Sequence, residues 1–220
     1  KGILQYNLEK EGRTMKSLVV YSSQTGNTRK LAQAAYDSLT GAKEIHKVED
    51  APAPDDFDLV VVGFWLKGGR PDPQSAEFIG KIGKSEVFLF ATHRPAADSD
   101  HAKQAMDYAI SLAACARVLG TFNCPGEVDP AILDRVRAKQ PPPPWIKDVA
   151  KAVGRPNDQD LADLQAVALA LGAQLGLDEA TTRRHISKKA GRPLAELDAT
   201  GLAPVLRAMA EALGRDQRAA

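Results

Sequence analysis

Two runs of the sequence, Leu59-Val60-Val61-Val62 and Val87-Phe88-Leu89-Phe90, are apolar at every position. A strand with one wet face alternates polar and apolar residues, so a strand without alternation is covered on both sides. The chain must therefore build a sheet with helices on each face. Apolar runs at 17–21 and 118–124 supply two more strands, and the interrupted run at 43–48 suits an edge. Helical patterns fill the gaps at 28–39, 73–82, 99–116 and 129–139, followed by a short one at 145–153. The third carries Ala102, Ala105, Met106, Ala109 and Leu112 on one narrow face, small enough to lie close on a sheet. Strand and helix in alternation imply parallel pairing through right-handed crossovers. The expected fold is α/β: a doubly wound five-stranded parallel sheet in strand order 2-1-3-4-5, with a small C-terminal helical domain. Such a sheet puts its ligand crevice outside the carboxyl ends of the first and third strands.

The first of those ends runs into Ser22-Ser23-Gln24-Thr25-Gly26-Asn27-Thr28, which opens a helix with Leu31, Ala34, Ala35 and Leu39 on one face. The first N–H groups of a helix lack intrahelical acceptors, and the helix dipole adds partial positive charge there. Ser and Thr hydroxyls supply donors at several angles, and Gly26 permits close approach or a positive φ. The stretch reads as a phosphate cradle. The plainer alternative is a helix capped by Thr25 or Asn27. It is neither a P-loop, which needs G-x-x-x-x-G-K-[ST], nor the G-x-G-x-x-G of dinucleotide folds. The third strand ends in Gly63-Phe64-Trp65-Leu66-Lys67-Gly68-Gly69, the fourth in Thr92-His93-Arg94-Pro95 and the last in Asn123-Cys124-Pro125-Gly126. An aromatic, a glycine pair and polar groups thus converge on one edge.

A formal net charge of +1 argues for neither nucleic acid nor membrane as a bulk partner. Cys115 and Cys124 are too few for a disulfide framework and too far apart for C-x-x-C chemistry. No apolar run approaches the ~20 residues of a membrane span, and a reducing cytoplasm is the expected compartment. Residues 1–14 lack the apolar segment of a secretory signal and are set aside as a leader, expected to be disordered. His46, His101 and His185 stand at no metal-ligand spacing.

The pattern Ser23-Gln24-Thr25-Gly26-Asn27-Thr28 resembles the FMN-phosphate loop of flavodoxins, [ST]-x-T-G-x-T. Three further segments narrow the resemblance. They are Gly63-Phe64-Trp65 with the following glycines and Pro71-Asp72; Asp98-Ser99-Asp100-His101-Ala102-Lys103; and Gly120-Thr121-Phe122-Asn123-Cys124-Pro125-Gly126 with Asp129-Pro130. Together, residues 16–150 look like a flavodoxin-like subfamily that includes companions of bilirubin reductase. Flavodoxins are themselves the model case for a crevice at that switch point, so crevice and resemblance are one inference and not two.

The resemblance implies FMN as cofactor, with Ser23, Gln24, Thr25, Gly26, Asn27 and Thr28 at its phosphate. It implies that Trp65, beside Phe64, stacks on the flavin; core packing is the alternative. Gly68 and Gly69 would permit a peptide flip toward the reduced ring, or form a plain turn. Lys67 departs from the acidic surroundings usual in flavodoxins, and residues 15–154 hold seventeen Lys/Arg against seventeen Asp/Glu. A less negative potential for the second electron is therefore expected. The second flavin loop departs furthest: Thr92, His93 and Arg94 stand where flavodoxins place glycine and an acidic residue, often with tyrosine. Either the His93 imidazole replaces the second aromatic, or the ring is covered on one side only. Arg94 would neutralise the reduced ring or remain solvated. Cys124 reads as a small core residue in preference to a redox thiol.

Pro141-Pro142-Pro143-Pro144 is a stiff spacer, and Trp145 anchors the returning chain. The flavin domain, 15–154, is expected to end at the break Gly154-Arg155-Pro156-Asn157-Asp158. Residues 157–216 read as a three-helix module, with Leu161, Leu164, Ala168 and Leu171 along the first helix and Leu202, Val205, Leu206, Met209 and Leu213 along the last. The basic stretch with Arg183, Arg184, Lys188 and Lys189 admits a helix-turn-helix DNA reader. Nine Lys/Arg against nine Asp/Glu from 155 onward keep that face local. The module faintly resembles helical appendages of phage-type annealing and regulatory proteins, and docking or dimerisation is the preferred reading. The expected function is electron carriage between two unknown redox partner proteins, a reductase and an acceptor enzyme. The alternatives are an FMN-dependent NAD(P)H reductase of a small molecule and a flavin-free binding or regulatory protein.

Overall fold

The computed structural model describes residues 15–39, 41–94, 100–141 and 144–174. β1 (Lys16–Tyr21) leads through α1 (Asn27–Ser38) to β2 (Ala42–Lys47), β3 (Leu59–Lys67) and a two-residue β4 (Arg70–Pro71). Then come α2 (Pro73–Gly80), β5 (Glu86–His93), α3 (Asp100–Leu112), β6 (Arg117–Pro125) and α4 (Pro130–Arg137). A run of 3₁₀ turns (Pro144–Ala152) precedes α5 (Asp158–Gln174). The five long strands are parallel in the order β2-β1-β3-β5-β6, the doubly wound order expected. β4 adds a sixth, antiparallel to the end of β3. A pair of residues leaves no hydrophobic period to read, so the sequence did not announce it.

Unbroken apolar runs become the central strands because both faces are covered. Leu18, Val20, Val60, Val62, Leu89 and Ala91 point to the side of α2 and α3, where Phe78, Ile79, Met106 and Ala109 close the core. Val19, Leu59, Val61, Phe88 and Phe90 point the other way, onto Leu31, Ala32 and Ala35 of α1 and Leu164 of α5. Each fully buried Leu, Val or Phe contributes about 1.5–3 kcal/mol, so the sheet is the stable platform on which its loops stand.

The stretch expected as a short helix at 145–153 is 3₁₀ instead. Residues three apart eclipse in that geometry, which suits the buried pair Val149 and Ala152. Residues 142 and 143 of the proline run lie outside the described residues. Beyond the expected break at 154–158 the chain stays in the same body: Leu164 is fully buried, Leu161 and Val167 pack beside it, and Gln165 Nε2 donates to Ala34 O at 3.3 Å. The first helix of the anticipated tail module therefore packs on α1. Residues 175–216, including the basic stretch, lie outside the described residues, as does the leader 1–14.

Candidate functional site

Parallel register sets the level at which each strand ends. Tyr21 stands beside Lys47 on one side and Gly63 on the other, while β3 continues to Trp65, opposite Thr92. β3 and β5 thus outrun β1 and β2, and the shortfall leaves a crevice at the β1–β3 switch point. The Ser22 N–H extends the ladder by one bond to Gly63 O, at 2.9 Å, before the chain turns.

The turn ends at Gly26, whose φ of +91° is a conformation side chains resist, and Gly26 is the N-cap of α1. No side chain caps this helix. The reading in which Thr25 or Asn27 would cap it does not hold, because Asn27 is used elsewhere. Its Nδ2 donates to Thr25 Oγ1 at 3.1 Å and to Glu127 O at 2.9 Å, tying the loop to the exit of β6. Ser23 Oγ accepts from the Gly26 N–H at 3.1 Å. The first turn of α1 carries no acid, and Arg29 and Lys30 are exposed on it. The open amide end of α1, loop hydroxyls and a positive flank fit a phosphate monoester. Thr28 borders the smaller lobe but is buried, and its hydroxyl shares a 2.8 Å hydrogen bond with Thr92 Oγ1, bracing α1 against β5.

Trp65 lies half-buried across the crevice. Its carbonyl accepts from the Asp72 N–H at 3.1 Å, and its indole Nε1–H donates to Ser22 Oγ at 3.2 Å. On one side of it is a cleft of about 370 Å³ lined by Tyr21, Ser23, Gln24, Lys47 and Lys67 among others. On the other is a lobe of about 80 Å³ that includes Thr25, Asn27, Thr28, Thr92, His93 and Arg94. Gln24 and Trp65 border both. A flat indole facing polar loops is the surface a flat heteroaromatic ring needs, so the residues present fit a mononucleotide with such a ring.

Three expected contacts, Phe64, Gly68 and Gly69, line neither lobe, whereas His93 borders the smaller one. Phe64 is fully buried in the α2–α3 core, because its side chain alternates to the face opposite Trp65. Gly68 and Gly69, at φ +60° and +78°, are the two-residue loop of the β3–β4 hairpin and line neither lobe. Positive φ at both central positions is the type I′ geometry that matches strand twist, so the plain-turn alternative describes them. His93 is buried, with Nε2 2.9 Å from Asn123 Oδ1, its imidazole held toward β6.

The sequence reading missed Ser22 as the partner of Trp65 and Lys47 at the end of β2. Only strand register brings them to the crevice, and register is not written in local patterns. Cys124 is buried beneath the site in the α1–α5 core. Burial first, and then the negative charge of Asp160, push its thiol up to about 12, which keeps it protonated and unreactive. Among the described residues no cluster of His, Cys, Asp and Glu could hold a metal, and no helix is long and apolar enough to cross a membrane.

Residues 18–169 match the family model of the flavodoxin domain. The chain is 30% identical over 119 residues to the flavodoxin-like domain-containing protein BilS of Clostridioides difficile (strain CD3), covering 52% of this chain and 68% of that one. A protein of the same name from Clostridium symbiosum (strain WAL-14163) is 26% identical over 194 residues, 75% of this chain and all of that one (100%). Among solved structures, oxidised flavodoxin 2 from Bacillus cereus superposes with a TM-score of 0.51 at 14% identity, over 72% of this chain and 99% of that one. Likeness at that identity speaks to the fold alone.

Proposed function

The chain belongs to the flavodoxin domain family, and on that premise we propose that it is an FMN-binding carrier that passes electrons, in the cytoplasm, from a reductase to an acceptor enzyme. The observation that carries this reading is the meeting, in one crevice, of an uncapped α1 with a half-buried Trp65. FMN supplies the redox chemistry when bound. The protein's part is to bind it, orient it and keep water from it. The α1 amides with Ser23 and Thr25 would hold the phosphate, the Trp65 indole would lie against the ring, and Gln24 borders both. The Thr28–Thr92 strut and the Asn27–Glu127 bond keep that frame rigid between redox states.

Lys67 is exposed at the end of β3, on the wall of the larger cleft. A cation there stabilises negative charge on a reduced ring and raises the potential of the second electron. Replacing Lys67 with Glu reverses that charge. An exposed charge acting through water on a nearby ring is worth on the order of 0.5 kcal/mol per unit, so the two-unit reversal should lower the potential by roughly tens of millivolts. A redox titration in which Lys67→Glu leaves the potential in place would remove Lys67 from the account.

The visible spectrum of the purified protein, followed by identification of the chromophore that denaturation releases, tests the proposal directly. Colourless protein that takes up no added FMN would refute it. The larger cleft beside Trp65 favours one second reading, an FMN-dependent reductase of a small molecule. Rapid NAD(P)H oxidation by the protein alone would select that enzyme over the carrier. For residues beyond α5 we propose docking or dimerisation. Retention of the chain on DNA at moderate salt would point to nucleic acid instead, since phosphate contacts weaken steeply with salt.

A further inference from the structure

We propose that Ser22 is a positioning residue that sets the plane of the Trp65 indole, and through it the face offered to a bound ring. The inference rests on the FMN reading of the crevice. Ser22 is the first residue past β1, and it is buried. Its N–H is spent on Gly63 O at 2.9 Å, which fixes the backbone from which the hydroxyl projects. Trp65 is two residues beyond Gly63 on the same strand, so its side chain emerges on the same face, over the gap left where β1 stops. The indole crosses that gap and donates Nε1–H to Ser22 Oγ at 3.2 Å.

An indole has an apolar body and a single donor, so one hydrogen bond selects one orientation among the few its two side-chain torsions allow. The Trp65 backbone is held independently, by the Asp72 N–H on its carbonyl. Loss of the Ser22 hydroxyl therefore frees the ring without freeing the strand. Trp65 borders both the larger cleft and the smaller lobe, so a rotated indole would merge them. Ser22 differs in this from its neighbours Ser23 and Thr25, which belong to the phosphate end.

That difference gives the test. The affinities of FMN and of riboflavin, which lacks the phosphate, are measured for the unmutated protein, Ser22→Ala and Ser22→Thr. A positioning role predicts that Ser22→Ala weakens both ligands by the same factor, about five- to tenfold, as the loss of one hydrogen bond allows. Ser22→Thr, which keeps the hydroxyl, should restore both. In a Trp65→Phe background, which has no indole donor, the Ser22→Ala effect should vanish. Weakening of FMN alone would assign Ser22 to the phosphate loop, and an unchanged pair of affinities would make it a bystander; either overturns the proposal.

A second readout needs no flavin. In a Trp145→Phe background the remaining indole N–H signal belongs to Trp65, and its exchange with solvent should be slow in the unmutated protein and faster in Ser22→Ala. Protein that binds neither ligand but shows this contrast would sink the cofactor reading and spare the positioning role. Should Ser22→Ala not fold, the unmutated protein alone decides. A Trp65 N–H exchanging as fast as free indole overturns the pin, and a protected one supports it.

Discussion

The start of α1 and the start of α5 are built in opposite ways. At α5, Asn157 Oδ1 accepts from the N–H groups of Gln159 and Asp160 at 3.0 and 3.1 Å. The Asp160 carboxylate accepts from the Asn157 N–H at 2.9 Å and pairs with Arg155 through Nε, also at 2.9 Å, and through Nη2. Asp72 and Asp129 close α2 and α4 in the same manner. At α1 no side chain performs that task. A protein loses about 1 kcal/mol by omitting a cap, so an end left open on the binding edge of the sheet is one whose amides are reserved for something else. Closure marks structure here, and on the proposed reading openness marks function.

The largest expected effect falls on the open end. Gly26→Val puts a β-branched residue at φ +91°, a strain of about 1–3 kcal/mol that the loop would relieve by abandoning its shape. FMN affinity should drop by up to about 100-fold, while the unfolding midpoint of the flavin-free protein falls only by the backbone strain the loop fails to relieve, since nothing lies within 4 Å of the new Cβ to add a clash. Fluorescence titration and thermal melts measure the two quantities. A Gly26→Val protein that keeps its affinity would mean that the loop does not hold the phosphate.

The closed end should behave the other way. Asp160 is buried, and desolvation alone would raise its carboxyl pKa. The hydrogen bonds from Arg155 and the Asn157 N–H, with the Arg155 charge, outweigh that and hold it below the usual range. Asp160→Asn leaves Arg155 without its counter-charge. Because Arg155 keeps partial contact with water, the loss should be about 2 kcal/mol of stability, under the 3–5 seen for fully buried pairs. A depressed carboxyl favours folding only while it is ionised. The gap between unmutated protein and Asp160→Asn should therefore be complete above about pH 4 and shrink as pH falls through the lowered value. Loosened α5 should also expose Cys124 to thiol reagents, read against the exposed Cys115. A Cys124 that stays as slow in the variant would show that this pair does not hold α5 down.

The sheet was legible because apolar runs without alternation have one explanation, and the loop was legible because hydroxyls flanking a glycine before a helix have few. Trp65 was placed correctly at the crevice while Phe64 was not, since adjacent strand residues face opposite ways and the sequence alone does not say which face is which. Gly68 and Gly69 were assigned to the ligand although the hairpin they close explains them. Asn27 looked like a cap because its type is a good one. Its actual partner, Glu127 O, lies a hundred residues away and is visible only in three dimensions. The tail's first helix looked separate because Gly154 and Pro156 punctuate the chain, yet buried Leu164 draws it onto α1.

The smallest effect concerns the other end of α1 and sharpens the comparison within one helix. Lys43 Nζ donates to Tyr36 O at 2.7 Å and Leu39 O at 2.8 Å, closing the carbonyls where the dipole is negative, and lies 4.3 Å from the Tyr36 ring centre. Burial pulls its pKa down, opposed in part by Asp37, so some of the gain is lost to desolvation. Lys43→Met keeps the side-chain length and removes the charge, and should cost about 0.5–1 kcal/mol of stability. FMN affinity should stay within a factor of two, since the closed end carries none of the ligand. If Lys43→Met weakened FMN as much as Gly26→Val, the two ends would be coupled through the helix. The division between a structural end and a functional end would then fail.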